Sequence, residues 1–292
     1  MGSRPLSPAA QLRALINQTA MIVAPGAYDC IGARLAEQAG YRAVYMTGAG
    51  TAAALGYPDY GLITMSEMAE NAARLTAAVT IPVIADADTG YGNELNVTRT
   101  VREYQKRGVA GLHIEDQGFP KKCGHLEDKT IIPLGDYLAK IRAAAAAKSD
   151  PDFLLIARTD ARAVTGFEDA VARMNAALEA GADMAFLEAP QTSAEVEAIP
   201  RLIKGPCLLN IVSGGKTPTL DLAQAERLGF RLAILPGLLF QTAVSAFRSV
   251  LADVKTQECH PKLNVGVLEA FRAVGADDWD KLRERFKLSS DR

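Results

Sequence analysis

The stretch VAGLHIEDQGFPKKCGH, residues 109–125, guides the interpretation of the whole chain. It opens as an apolar strand whose last two residues are Glu115 and Asp116. A loop follows at once and carries two lysines, Cys123 and His125. A strand that ends in acids and is followed by a thiol among cations indicates a catalytic edge. The alternative interpretation, a solvated strand end followed by a charged surface loop, is the weaker one.

On both sides of this stretch, apolar runs alternate with amphipathic segments. The predicted strands are 21–27, 41–48, 81–88, 109–116, 152–160, 184–190, 207–212 and 230–237. The predicted helices are 9–17, 31–40, 66–79, 94–108, 135–148, 167–182, 193–204, 220–229 and about 239–255. Near-continuous apolar strands are typical of parallel sheets that are covered on both faces.

Eight strand–helix units over roughly 250 residues predict an α/β fold, a (β/α)8 barrel of the TIM type. An open, doubly wound sheet is the alternative, and the lack of a GxGxxG motif after the first strand disfavours it. No linker interrupts the pattern, so we expect a single barrel domain over residues 1–292. A helical tail is expected from about residue 256.

Composition, net charge and cysteine count indicate which classes of binding partner and which cellular location to expect. The 292 residues are 49% hydrophobic and 23% charged, as in ordinary globular proteins. The net charge of −2 gives no reason to expect a nucleic acid or an anionic membrane. The N-terminus lacks the apolar core of a signal peptide, and no apolar run approaches the about 20 residues that cross a bilayer. The four cysteines form neither a disulfide framework nor a zinc pattern. We therefore expect a cytoplasmic protein without nucleic-acid or membrane partners.

Polar residues recur where the predicted strands end, which is where barrels place their functional groups. In chain order the strand ends carry Thr47-Gly48-Ala49-Gly50, then Asp86 and Asp88, Glu115 and Asp116, Arg158 and Asp160, Glu188, and Asn210. Side chains two residues apart in a strand share a face, so Asp86 and Asp88 are expected to point the same way. His113 shares a face with Glu115 and is expected inside the barrel, bonded to an acid.

Several acids in one barrel mouth repel one another unless a cation lies between them. Hard oxygen ligands suit Mg²⁺, which keeps several waters, with Mn²⁺ as the alternative ion. We predict Asp86 and Asp88 as the nearest ligands, Glu115 as a ligand through water and Asp59 in the outer shell. Helix capping is the alternative role, and it accounts for one or two of these acids rather than for the series.

Two groups are predicted to hold carboxylates of a substrate. The planar guanidinium of Arg158 matches a carboxylate with two hydrogen bonds. The backbone N–H groups of Thr47–Ala49, in a Gly-rich turn, are predicted to bind a second carboxylate. The competing interpretation of this segment is a simple turn before a helix.

Cys123 is the candidate acid/base. Its neighbours Lys121, Lys122 and His125 are cationic or can become so, which favours the thiolate. A thiol near its ionisation point can exchange a proton with a carbanion or an enolate. The polar loop 118–133 is predicted to be a lid that carries this thiol.

These residues resemble the isocitrate lyase and phosphoenolpyruvate mutase superfamily. The resemblance rests on DADTGYGN (86–93), GLHIEDQ (111–117), KKCGH (121–125), ARTDA (157–161) and Asn210, and it extends over about residues 25–255. KKCGH is the most specific motif, because members that carry it are carbon–carbon lyases in which the Cys acts as acid/base. Mutases and decarboxylases of the superfamily generally lack that Cys.

The resemblance implies a Mg²⁺-bound 2-hydroxy or 2-oxo dicarboxylate in the barrel mouth. Its pyruvate-like end would be held by Thr47, Gly48, Asp86 and Arg158, and its other end lined by Glu188 and Asn210. Gly124 is a further expected substrate-binding residue. The expected catalytic residues are Cys123, Arg158, Glu115 and His125. The resemblance also implies a homotetramer in which the eighth helix is swapped between subunits.

Within the superfamily, the chain is similar to 2-methylisocitrate lyases and 2,3-dimethylmalate lyases. It departs from the former at Val212–Pro218, where they carry an acidic-aromatic stretch, and at Gln241, where they carry Arg. The absence of that Arg disfavours a tricarboxylate. The GGKTP segment within 212–218 is similar to dimethylmalate lyases and oxaloacetate hydrolases, but Pro236 replaces the Ser that is usual in the hydrolases. Thr47 replaces the usual Ser of the family.

The sequence thus predicts a Mg²⁺-dependent lyase that cleaves a 2-hydroxy dicarboxylate of the 2-alkylmalate or 2-methylisocitrate type. The products would be pyruvate, or a related 2-oxo acid, and a carboxylate. Hydrolysis or decarboxylation of oxaloacetate on the same scaffold is one alternative. A non-catalytic barrel that binds a carboxylate metabolite is the other.

Overall fold

A computed structural model describes residues 6–18 and 20–287, and its eight strands form a closed barrel in chain order. They are β1 (Ile22–Ala27), β2 (Val44–Met46), β3 (Val83–Asp86), β4 (Gly111–Glu115), β5 (Leu154–Thr159), β6 (Met184–Leu187), β7 (Cys207–Asn210) and β8 (Leu232–Leu235). All neighbouring pairs are parallel, and β8 closes on β1. The predicted (β/α)8 barrel is confirmed.

The helices lie between and after the strands. They are α1 (Pro8–Ile16), α2 (Cys30–Gln38), α3 (Gly48–Ala54), α4 (Met65–Ala78), α5 (Glu94–Lys106), α6 (Leu134–Ala147), α7 (Phe167–Glu179), α8 (Ser193–Leu202), α9 (Leu222–Leu228), α10 (Leu238–Gln257), α11 (Val267–Ala273) and α12 (Ala276–Lys287), with a 3₁₀ turn at Ala161–Ala163. Polar residues start many of them, since the side chains of Asp29, Thr64 and Asn93 accept backbone N–H groups of the first turns. The short helix α3 was not predicted.

Alternation along the strands divides the apolar residues into two layers. Val44, Met46 and Leu155 point outward and pack under the surrounding helices. Tyr45 and Ile156, one position along, point into the barrel. A buried strand therefore contributes to both layers, which explains why the sequence showed apolar runs instead of an apolar–polar alternation.

Helix α1 closes the N-terminal end of the barrel. Leu12, Leu15 and Ile16 join the interior apolar layer. The guanidinium of Arg13 donates to the carbonyl of Phe153, at 3.3 Å, just before β5 begins. With this end filled by apolar side chains, the opposite end is the one available to polar groups.

The chain separates into two compact units, Met1–Phe240 and Gln241–Arg292. The second unit exposes large apolar side chains, among them Phe247, Phe271 and Trp279. The single-domain organisation and the swapped helix stay predictions. Within the described residues, no helix is both long enough and apolar enough to cross a membrane.

Candidate active site

Strand register brings the predicted site residues together. Asp86 of β3 pairs with His113 of β4, and Glu115 of β4 pairs with Arg158 of β5. Paired residues of parallel strands point to the same face, and the two-residue period places His113 and Glu115 on that face. All four side chains are buried at the C-terminal end of the barrel interior.

Arg158 lies at the centre of this group. Its Nη1 is 3.1 Å from Glu115 Oε2, and its Nε donates to Asp160 Oδ2 at 3.0 Å. Register with Phe186 places the guanidinium carbon 5.2 Å from that ring's centroid. Burial opposes its charge, but Asp160 and Glu115 outweigh burial and raise the pKa of Arg158 well above its usual value. The structure thus provides a fixed, fully charged guanidinium, as a carboxylate clamp requires.

Asp86 is held by backbone and hydroxyl donors. Its Oδ1 accepts the Asp88 N–H at 2.9 Å, and its Oδ2 lies 3.3 Å from both the Gly48 N–H and the Tyr45 hydroxyl. Burial opposes ionisation, but His113 and other basic groups lower the pKa of Asp86 to about 2. Asp86 is therefore an anion at neutral pH.

The segment after β2 is the start of a helix rather than a free turn. Thr47 caps α3, and its Oγ1 accepts the Gly50 N–H at 3.4 Å. A Cβ on Gly48 would lie 2.5 Å from Asp86 Oδ2, so only glycine lets the backbone approach that carboxylate. The Gly48 N–H donates to Asp86, and the binding of a substrate carboxylate by Thr47–Ala49 stays a prediction. Ala49 lies in the first turn of α3.

Lys121 fills the space between two of the predicted metal residues. Its Nζ is 2.5 Å from Asp59 Oδ1 and 2.5 Å from Asp88 Oδ1, and the side chain is almost fully buried. Burial, opposed by Lys121, raises the pKa of Asp88 to about 6. Lys121 therefore shares the role of counter-charge that the sequence assigned to a metal alone.

His113 is inside the barrel, as predicted, but its closest polar partner is a residue that the sequence did not single out. Its Nε2 is 2.8 Å from the Tyr45 hydroxyl and 3.6 Å from Asp86 Oδ1. Tyr45 stacks on the imidazole, with the ring centroids 5.8 Å apart. Burial lowers the pKa of His113 to about 4, so it is neutral at physiological pH. Tyr45 was missed because an aromatic residue in a strand predicts only packing.

The donor set is compatible with a hard divalent cation, although no ready-made cage exists. Among the residues of the described ranges, no three His, Cys, Asp or Glu side chains already converge in metal-binding geometry. Neither oxygen of the buried Glu115 accepts a hydrogen bond, although Oε2 forms the ion pair with Arg158 at 3.1 Å, and Asp86 is ionised nearby. Mg²⁺ needs only one or two carboxylates, because waters complete its shell. Asp86 and Glu115 are the groups best placed to hold it, with Asp88 beside them.

The charges around Cys123 differ from those that the sequence predicted. Lys121 is engaged with Asp59 and Asp88, and Lys122 lies near the exposed Asp128. Burial and the carboxylate of Asp59 raise the pKa of the Cys123 thiol. The prediction that cationic neighbours favour the thiolate is wrong for this arrangement, because burial dominates, Lys121 and Lys122 lie beside acids and burial favours the neutral form of His125.

His125 has a defined tautomer. Its Nδ1 accepts the Lys216 N–H at 3.0 Å, so in the neutral ring the proton is on Nε2. That Nε2 is 3.1 Å from Glu188 Oε1 and serves as its donor. Burial lowers the pKa of His125, which favours this neutral form. Asn210 Nδ2 also donates to Glu188, at 3.1 Å to Oε2, so the residues predicted from strands six and seven do meet.

Gly124 fits directly under this group. A Cβ at this position would lie 2.5 Å from Glu188 Cγ and 2.7 Å from Arg158 Nη2. The backbone of Cys123 is anchored as well, because its N–H donates to the Asp59 carbonyl at 3.1 Å. The KKCGH loop therefore lies closed over the barrel mouth.

Asp116 and Asp160 are buried next to the site and hold its residues through hydrogen bonds and ion pairs. Asp116 Oδ2 accepts the Thr159 hydroxyl at 2.6 Å and lies 3.3 Å from Arg173 Nη1, while its Oδ1 accepts the Asp160 N–H. Asp160 binds Arg158 and the ammonium of Lys129, at 2.6 Å. Lys129 and Arg173 were missed, because an isolated Lys in a polar loop and an Arg in a helix give no sequence signal.

Comparison with known proteins places this arrangement among characterised enzymes. A family model described as phosphoenolpyruvate phosphomutase matches residues 12–255. The 2,3-dimethylmalate lyase of Eubacterium barkeri is 44% identical over 254 residues, which are 87% of this chain and 88% of that protein. The 2-methylisocitrate lyase of Aeropyrum pernix is 44% identical over 247 residues, 85% of this chain and 80% of that protein.

Solved structures agree. An oxaloacetate acetylhydrolase bound to the inhibitor 3,3-difluorooxalacetate has a TM-score of 0.94 at 36% identity, covering 98% of this chain and 99% of the other. A phosphonopyruvate hydrolase in complex with oxalate and Mg²⁺ has a TM-score of 0.86 at 30% identity, covering 96% of this chain and 99% of the other. The similarity thus spans lyases and hydrolases on one scaffold.

Proposed function

The chain belongs to the phosphoenolpyruvate mutase and isocitrate lyase superfamily, and from that premise we propose that it cleaves a 2-alkylmalate to pyruvate, or a related 2-oxo acid, and a carboxylate. It is a carbon–carbon lyase of this superfamily. The alkylmalate substrate, the residue roles, the cytoplasmic location and the homotetramer are parts of the proposal. The observation that carries it is the closed KKCGH loop, with Gly124 against Arg158 and Glu188 and with Cys123 beside them.

Arg158 is the proposed clamp for the 2-oxo acid half of the substrate. Its charge is permanent and its orientation is fixed by Glu115 and Asp160, so little reorganisation accompanies binding. The first turn of α3, with Thr47, Gly48 and Ala49, would border the same half. This proposal keeps the substrate-binding roles predicted for those residues.

Enzymes of this superfamily depend on a divalent metal, and one structural relative holds Mg²⁺ with oxalate. We propose that Asp86 holds Mg²⁺ here and that Glu115 contacts the ion through water, with Asp88 and Asp59 around them. When bound, the ion polarises the 2-oxygen of the substrate as a Lewis acid. Mn²⁺ would satisfy the same hard ligands.

The bond-breaking step follows from the positions of the acid and the thiol. Glu115, a buried carboxylate beside the guanidinium of Arg158, accepts the proton of the 2-hydroxyl group. The C2–C3 bond then breaks, C2 becomes the carbonyl carbon of the 2-oxo acid, and the electron pair stays on C3 beside the second carboxylate. Cys123 donates its proton to C3. A pKa raised by burial keeps this group a thiol, which is the form a donor needs.

Glu188, His125 and Asn210 are proposed to line the end of the pocket where the second carboxylate departs. The Nε2–H of His125 and the amide of Asn210 both point to Glu188 in the absence of substrate. These two donors are the groups of this cluster able to bind a substrate carboxylate. Their role is to orient it toward Cys123.

Pyruvate release, coupled to lactate dehydrogenase and NADH, tests the proposal. The panel is 2,3-dimethylmalate, 2-ethylmalate, citramalate and 2-methylisocitrate, each with Mg²⁺ and again with EDTA. We expect pyruvate from one malate and its loss with EDTA. Cys123→Ser should lower kcat by about 100-fold or more with little change in KM, because the proton donor is lost. Cys259→Ser, an exposed cysteine, is the matched control. Normal turnover by Cys123→Ser would overturn the role given to this thiol.

Oxaloacetate hydrolysis is the second candidate, and the TM-score of 0.94 to an oxaloacetate acetylhydrolase favours it. Loss of the enol absorbance of oxaloacetate, with oxalate and acetate as products, would establish this activity. If no malate on the panel yields pyruvate and oxaloacetate is consumed, the hydrolase replaces the lyase as the proposed function.

A further inference from the structure

We propose that Lys129 is a positioning residue, which fixes the Cys123 loop over the site by joining the Gly124 carbonyl to Asp160. This inference rests on the proposed function, since Cys123 and Arg158 are the groups positioned. It concerns a residue that lies in neither the KKCGH motif nor any strand end.

The Lys129 ammonium is buried between two acceptors. Its side chain is 1% exposed, and its Nζ lies 2.6 Å from Asp160 Oδ1. The same Nζ donates to the carbonyl of Gly124. A buried ammonium is stable only where such acceptors replace water. A lysine that pointed into solvent would make neither of these contacts. The two contacts therefore stabilise one position of the loop.

Asp160 links this contact to the substrate clamp. The residue is fully buried, and its Oδ2 accepts from Arg158 Nε at 3.0 Å while its Oδ1 binds Lys129. One carboxylate thus orients both the loop and the guanidinium. Because Glu115 also contacts Arg158, loss of Lys129 would disturb the loop more than the clamp.

Gly124 shows why the position matters. Its backbone is so close to Glu188 and Arg158 that no Cβ fits. The carbonyl that Lys129 holds belongs to the residue directly after Cys123. A small shift of this peptide therefore moves the thiol relative to the substrate, and misplacement by about 1 Å can cost about 100-fold in rate.

The test is hydrogen–deuterium exchange of the ligand-free full chain, read over the loop peptides, together with steady-state kinetics. In wild type we expect the amides around residues 123–126 to be protected. In Lys129→Met they should exchange roughly tenfold faster or more, because a charged hydrogen-bond pair is lost. We also expect kcat to fall by about 100-fold with a smaller change in KM. Lys129→Arg keeps the charge and should restore protection and most of kcat.

Asp128→Asn is the matched control, because its side chain is 91% exposed in the same loop. It should leave exchange and turnover unchanged. Free exchange of these amides in wild type, or equal exchange in wild type and Lys129→Met, would overturn the inference. The exchange arm needs no substrate, so it stands even if the panel yields no pyruvate. If Lys129→Met does not fold, the wild-type exchange and the Lys129→Arg variant decide the matter.

Discussion

Replacing Gly124 by Ala tests the geometry of the closed loop most directly. The added Cβ would lie 2.5 Å from Glu188 Cγ, where ordinary contact begins at 3.4 Å, so it is about 0.9 Å too close. Glu188 is 1% exposed and cannot move aside without losing its partners. Arg158 Nη2, at 2.7 Å, is fixed from the other side. We therefore expect the loop to lift by roughly the overlap.

Lifting the loop separates the thiol from the substrate without disturbing the barrel. We expect kcat/KM to fall by about 100-fold, as for other misplacements of about 1 Å. Stability should fall by no more than about 1 kcal/mol, which is about 2–4 °C in Tm. The measurements are pyruvate release with the substrate that wild type accepts, and thermal unfolding followed by circular dichroism.

Gly135→Ala is the control for this substitution, because a Cβ on Gly135 would meet no atom within 4 Å. Gly135 lies in the first turn of α6, just after the loop, and its replacement should leave both kcat/KM and Tm near the wild-type values. Equal turnover by Gly124→Ala and Gly135→Ala would refute the reasoning, since the close approach at Gly124 would then have no catalytic consequence.

Two further predictions concern buried polar groups. With the pKa of His113 lowered from 6.5 to about 4, the unfolded chain takes up a proton before the folded one as the pH falls, so stability falls between these values. From about pH 7.5 to about pH 5, this group should lower the free energy of unfolding by about 2 kcal/mol. Urea melts should show this loss as a difference between wild type and His113→Phe. Equal losses in both proteins would contradict the pKa shift. Asn210→Asp replaces the donor to Glu188 with a like charge and should destabilise the fold by about 2 kcal/mol or more, again in urea melts. Unchanged stability would show that the Asn210–Glu188 contact contributes little.

The two lysines of KKCGH have partners in the structure that the sequence did not predict. KKCGH predicted a cluster of positive charge around the thiol, yet Lys121 lies between Asp59 and Asp88, and Lys122 lies near Asp128. Burial and the carboxylate of Asp59 raise the pKa of the Cys123 thiol, which favours the thiol over the thiolate. Charge in a sequence window is local, whereas the partners of Lys121 come from the loop after α3 and from the end of β3.

The sequence alone determined the barrel and the identity of the polar groups at its mouth. Apolar runs, amphipathic helical segments and helix starts are local properties, so they predicted the eight units and placed Asp86, Glu115, Arg158, Glu188 and Asn210 at strand ends. The motifs determined the superfamily for the same reason, because their residue types follow one another directly in the chain.

Only the tertiary structure decided which groups meet. Register between strands paired Glu115 with Arg158 and Asp86 with His113, and no single strand contains that information. Loop closure brought Lys129 to Asp160, 31 residues along the chain. Burial then set the protonation states, because desolvation depends on everything packed around a group rather than on its neighbours in sequence.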